Sequence, residues 1–130
     1  MQTILFLCPY GGAKSVAAAS YFNRLAAEHA LPYVGIAVAA KEPYDAVPGP
    51  VADLLEGVGF DVRAFKPRRV ETEDLRSAAR IVSIDCDVSG VETERWDDVP
   101  KISEDLRGSA AAIRRHVEAL AAELRERAPV

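Results

Sequence analysis

Thr3-Ile4-Leu5-Phe6-Leu7-Cys8-Pro9-Tyr10-Gly11-Gly12-Ala13-Lys14-Ser15 is the stretch on which the reading of this chain turns. Ile4 to Leu7 is a short, wholly apolar run, the pattern of a strand buried on both faces. It stops at Cys8, and a glycine-bearing turn then passes the chain to Lys14 and Ser15, where a long helical pattern begins. Strand, thiol, tight turn and helix start, in that order, aim several backbone N–H groups and the positive end of a helix dipole at one point. A thiol beside such a cradle meets positive potential, which favours the reactive thiolate. A tetrahedral anion would use the same donors: the amides of Tyr10, Gly11, Gly12, Ala13, Lys14 and Ser15, the Lys14 ammonium and the Ser15 hydroxyl. The stretch predicts an oxyanion held against a cysteine nucleophile, with in-line attack by sulfur, a covalent intermediate and release by water.

Outward from this stretch, helical and strand patterns alternate. Ser15 to His29 follows the helical period, with Ala18, Phe22, Leu25 and Ala26 on one side, and Pro32 ends it. Tyr33 to Ala39 reads as a second strand, and Glu42 to Gly49 is a loop rich in Pro and Gly. Pro50 is placed as a first helical residue, with Val51, Leu54, Leu55 and Val58 as an apolar stripe closed by Gly59. Thr72 to Ala79 predicts a short helix capped by Thr72. Ile81 to Ile84 is a further buried strand ended by Asp85-Cys86-Asp87, and Val91 to Val99 holds a shorter fourth one. Ser103 is expected to cap a last helix whose core face is Leu106, Ala110, Ile113, Val117, Leu120 and Leu124. This alternation predicts an α/β fold with a parallel sheet covered on both faces. In such sheets ligands bind beyond the carboxyl ends of the strands, where both Cys8 and Cys86 fall.

The length of 130 residues predicts a single domain spanning 1–130, and 49% apolar residues suit an ordinary core. No run approaches the roughly 20 apolar residues needed to cross a bilayer, and no secretion signal is visible, so a cytoplasmic protein without membrane partners is expected. Sixteen basic against twenty acidic residues give a net charge of −4 with no basic stripe, which argues against nucleic acid. Lys66-Pro67-Arg68-Arg69, the densest basic patch, reads as a solvated turn. The two cysteines form no metal-type pair, and His29 and His116 lie far from them in sequence, so neither zinc nor any other cofactor is expected. The spacing of Lys14-Ser15 after a glycine turn also resembles a nucleotide-binding P-loop, but both required glycines are replaced, by Cys8 and Ala13.

Cys8 to Ser15 resembles the Cys-x-x-x-x-x-Arg-Ser loop of low-molecular-weight protein tyrosine phosphatases and of their relatives, the thioredoxin-coupled arsenate reductases. Pro50 to Leu55, continuing to Gly59-Phe60-Asp61, is similar to their second helix and its exit. Ala79 to Asp87 is similar to the reductases' strand and turn, and Trp96-Asp97-Asp98-Val99-Pro100 to the segment leading to their Asp-Pro acid loop. The resemblance implies a three-layer fold with a four-stranded parallel sheet and helices on both faces. It implies phosphate monoester hydrolysis through a cysteinyl-phosphate, with Cys8 as nucleophile and Lys14 and Ser15 in the loop. Three departures stand out. Lys14 replaces the family arginine, which exchanges a fork that grips two equatorial oxygens for a point charge. Losing one charge-assisted hydrogen bond of about 1.5–3 kcal/mol slows turnover roughly ten- to hundredfold. Tyr10-Gly11 replaces the loop's bracing Gly-Asn, and no Asp-Pro exists, so the acid falls to Asp98 or its place is taken by Lys101.

Cys86 occupies the place of a redox-active second cysteine in the resembled reductases, but Asp87 to Trp96 contains no third one. A direct Cys8–Cys86 disulfide, reduced by an external thiol, is the form that reductase chemistry would take here. The partners implied are a phosphate- or arsenate-like oxyanion, or a phosphorylated substrate. The alternatives to a phosphatase are thus an arsenate reductase-like oxidoreductase and a non-catalytic oxyanion-binding module.

Overall fold

In the computed structural model, which describes residues 1–127, the chain runs β1 (Gln2–Cys8), α1 (Lys14–Glu28), β2 (Tyr33–Ala39), α2 (Gly49–Gly57), α3 (Thr72–Ser77), β3 (Arg80–Ile84), β4 (Glu94–Trp96) and α4 (Leu106–Arg127). The four strands form one all-parallel sheet in the order β2-β1-β3-β4. β1 is central and wholly apolar for a physical reason: both its edges are paired and both its faces covered. Ile4 to Leu7 are 0% exposed. Its register with β2 runs unbroken from Gln2↔Tyr33 to Cys8↔Ala39.

The two faces are unequally built. Ile4, Phe6 and Cys8 pack with residues of α1, α2 and α4, including Phe22, Val51, Leu55, Ile113 and Val117. Phe6 meets Phe22 and Trp96 with ring centroids 5.8 Å from each. Leu5 and Leu7 point the other way, into a smaller cluster with Val38 and Cys86, flanked by half-buried Val70, Leu75 and Val88. The short α3 is the helix on that side, and none of its own residues is fully buried.

Local chemistry explains the element ends. α1 closes where Ala30 takes φ +51° and Leu31 donates to the Ala26 carbonyl at 2.8 Å, with the Leu31 side chain buried beneath it. α3 is capped by Glu71 and not by Thr72: the Glu71 side chain accepts the Asp74 amide while Asp74 accepts the Glu71 amide. The last helix begins after Asp105 and not after Ser103, since Asp105 Oδ1 accepts the Gly108 amide at 2.9 Å. In both places an acid one or two residues from the expected cap has the longer reach. The fourth strand is shorter than the 91–99 window and is held by Arg80, whose guanidinium bridges Glu94 at 2.6 Å and Glu123 at 3.1 Å. At the outer edge of β2, Asn23 occupies both the amide (2.7 Å) and the carbonyl (3.0 Å) of Gly35, which blunts an otherwise open strand edge. No helix of the described residues is long and apolar enough to cross a membrane.

Candidate active site

From β1 the chain reaches its neighbours in opposite directions, β2 on one side and β3 on the other. The crevice between the carboxyl ends of β1 and β3 is therefore a topological switch point, the place where open α/β sheets bind ligands. A cleft of about 530 Å³ opens there. Cys8 and Lys14 come from the end of β1 and the start of α1, and Asp85 from the end of β3. Tyr44 follows β2, while Lys101 and Ser103 follow β4, so every strand's carboxyl end contributes.

The nucleophile candidate lies at the floor. The Cys8 thiol donates to Ser15 Oγ at 3.1 Å, and both residues are buried. The bond reverses on ionisation, when the Ser15 hydroxyl would donate to sulfur. Gly11 takes φ +65°, and the main-chain amides of residues 10 to 16 donate to no protein acceptor among the described residues. A left-handed residue just ahead of a helix start is the arrangement that forms anion-binding concavities, because successive N–H groups stay unspent. Gly11 has no alternative, since a Cβ there would lie 2.8 Å from the Ala39 nitrogen. At Gly12 a Cβ would meet the Tyr44 ring at 2.7 Å. The Tyr44 amide donates to the Tyr10 carbonyl, and the two rings pack with centroids 5.0 Å apart, forming a half-exposed aromatic rim.

Lys14 is 7% exposed, and its ammonium sits 3.4 Å from Asp85 Oδ2. Asp85 itself adopts φ +56°, a left-handed turn at the strand end that swings it to the cleft. Only the P-loop comparison singled out Asp85, as an acid at the end of the Ile81 to Ile84 strand; it was not expected as the partner of Lys14. The available signal was its position, one residue past an apolar strand that is parallel to β1.

Asp98 is not among the residues that line the cleft. It lies on His116 Nε2 at 2.6 Å, with the imidazole stacked on Trp96, 4.7 Å between centroids. That hydrogen bond from His116 holds the Asp98 carboxyl below its ordinary range, so at neutral pH it has no proton to give. Lys101 does line the cleft. Cys86 packs with Leu5 and Leu7, whereas Cys8 packs with Ile4 and Phe6, so the two thiols belong to opposite faces of the sheet. Burial pushes the Cys86 thiol up to about 11, with the charges of Cys8 and Asp87 adding to the rise. At pH 8 a soluble alkylating reagent is accordingly expected to modify Cys86 at least roughly tenfold more slowly in the folded protein than in the urea-unfolded chain, because the thiolate is the reacting form. Peptide mass mapping against time checks this, and equal rates in the two states would refute it.

No family model matches this sequence, and no curated protein matches it. Solved structures do. A low-molecular-weight phosphotyrosine phosphatase from Vibrio cholerae O395 superposes with a TM-score of 0.84 over 99% of this chain and 100% of that one, at 13% identity. The fold is that of the low-molecular-weight phosphotyrosine phosphatases. YfkJ from Bacillus subtilis matches this phosphatase fold with a TM-score of 0.88 at 18% identity, covering 99% of this chain and 98% of that one. An arsenate reductase in the phosphate-binding state shares it too, with a TM-score of 0.79 at 18% identity over 95% of this chain and 99% of that one.

Proposed function

We propose that this protein is a phosphoric monoester hydrolase of the tyrosine phosphatase type, working through a cysteinyl-phosphate on Cys8. The observation that carries the reading is a thiol hydrogen-bonded to Ser15 in a cleft, beside a loop whose amides have no acceptor among the described residues. Those amides and the Lys14 ammonium would receive the three non-bridging phosphoryl oxygens, the charge-stabilising arrangement that contributes most to such transfers. Sulfur then attacks in line, and the Ser15 hydroxyl steadies it as a thiolate when it later departs. A phosphoryl group fills only a fraction of 530 Å³, which leaves the Tyr10 and Tyr44 rim for an aromatic leaving group. One fold neighbour is described in a phosphate-binding state, which fits an oxyanion in this cleft.

Release of 4-nitrophenol from its phosphate ester by wild-type protein tests the proposal, and absence of turnover with retained phosphate binding would replace it by a non-catalytic oxyanion-binding module. Lys14→Arg is expected to raise kcat/KM roughly tenfold, since a fork gains one charge-assisted hydrogen bond in the transition state. Steady-state kinetics on the variant checks this, and a fall would show that the lysine–Asp85 geometry matters more than the fork.

Arsenate reduction is the weaker reading. It needs Cys86 to attack an adduct on Cys8 and an external thiol to reduce the resulting disulfide. A protonated thiol packed on the other face of the sheet is poorly prepared for that. Loss of two thiols on adding arsenate, abolished in Cys86→Ser, would restore it.

A further inference from the structure

On the phosphatase reading, we propose that Lys101 is the proton donor to the leaving group, an ammonium doing what a carboxylic acid commonly does. Among the described residues only one carboxylate, Asp85, lines the cleft, and it is the acceptor of the Lys14 ammonium. Asp98 is outside the cleft lining and committed to His116. Lys101 lines the cleft and pairs with no carboxylate among the described residues. Its backbone is firmly held. Pro100 restrains the approach, Val99 and Ile102 on either side pack into the core, and the Lys101 carbonyl accepts the amides of Glu104 (3.1 Å) and Asp105 (2.9 Å). The side chain is thus carried from a fixed point in the segment following β4, which lines the same cleft as Cys8, Lys14 and Tyr44.

In the first step the S–P bond forms as the ester P–O bond breaks, and the departing oxygen takes a proton from the Lys101 ammonium. The products are the alcohol or phenol, the cysteinyl-phosphate and a neutral amine. In the second step water forms the new P–O bond as the S–P bond breaks, and its proton returns to the amine. Hydrogen phosphate, the Cys8 thiolate and the ammonium remain, so charge and protons balance. A donor of this kind matters most for esters whose leaving group is a poor one, because a stable leaving anion departs without help.

The experiment compares phenyl phosphate with 4-nitrophenyl phosphate in wild type, Lys101→Ala and Lys101→Arg, with inhibition by inorganic phosphate as the measure of anion binding. Lys101→Ala is expected to lower kcat/KM roughly tenfold for phenyl phosphate and less than about twofold for the nitrophenyl ester. Lys101→Arg is expected to show the same selective loss with phosphate inhibition unchanged, since a guanidinium keeps the charge but does not release its proton. Equal losses on both esters, or full rescue by arginine, would reduce Lys101 to a source of charge and overturn this inference while leaving the phosphatase reading intact. Hydrolysis of neither ester by wild type would remove both.

Discussion

Cys8→Ser is expected to lower aryl phosphate hydrolysis by at least roughly a thousandfold, the scale of loss seen when a covalent nucleophile is removed. A serine hydroxyl in this position has no hydrogen-bonded base to take its proton, because its partner is the Ser15 hydroxyl and the one carboxylate among the described cleft residues, Asp85, is held by Lys14. The substitution changes one buried atom at the end of β1 and leaves the amides of residues 10 to 16 where they are. Inorganic phosphate is therefore expected to bind the variant about as well as the wild type. Nitrophenol release and titration calorimetry with phosphate measure the two halves separately. Turnover surviving in Cys8→Ser would end the covalent mechanism, and phosphate binding lost with it would mean that the sulfur, and not the amide loop, is what holds the anion.

The second large effect falls on a residue with no side chain. Gly11→Ala is expected to cost roughly 3 kcal/mol of stability, the sum of a left-handed backbone forced on an L-residue and a contact tighter than a packed interior tolerates. Gly11 sits at φ +65°, and a Cβ there would lie 2.8 Å from both the Cβ and the backbone nitrogen of Ala39. Neither can yield easily. Ala39 pairs with Cys8 across the sheet, and its own amide and carbonyl are bound to Arg68 and Val70 at 2.8 Å each. For a chain of this size the loss corresponds to a fall in Tm on the order of ten degrees. Gly57→Ala makes the control, since Gly57 ends α2 with nothing within 4 Å of where its Cβ would be. Thermal unfolding of both variants decides the matter: a Gly11→Ala protein as stable as Gly57→Ala would mean the loop relaxes freely and is not held for function.

Much of this molecule was legible because its signals are local. The apolar run Ile4 to Leu7, the break at Cys8 and the helical period after Lys14 are properties of adjacent residues, and the parallel sheet follows from strands that alternate with helices. Errors clustered where two neighbouring residues compete for one task. Glu71 took the cap expected of Thr72, and Asp105 that expected of Ser103. Asp98 was a candidate acid because Trp96 to Pro100 resembles the segment leading to the family's Asp-Pro loop, yet its carboxylate is drawn to His116, 18 positions later on α4.

By itself, then, the chain's order of residues determined that a thiol, a glycine turn and a helix start stand together at the carboxyl end of a buried strand, since steric limits and hydrogen-bond demand act between near neighbours. Only the tertiary structure decided which distant groups join them. Asp85 comes to Lys14 because β3 lies beside β1, Lys101 comes to the cleft because the segment after β4 lines it, and Cys86, beyond the end of β3 and the left-handed turn at Asp85, is drawn among Leu5, Leu7 and Val38 by the burial they offer.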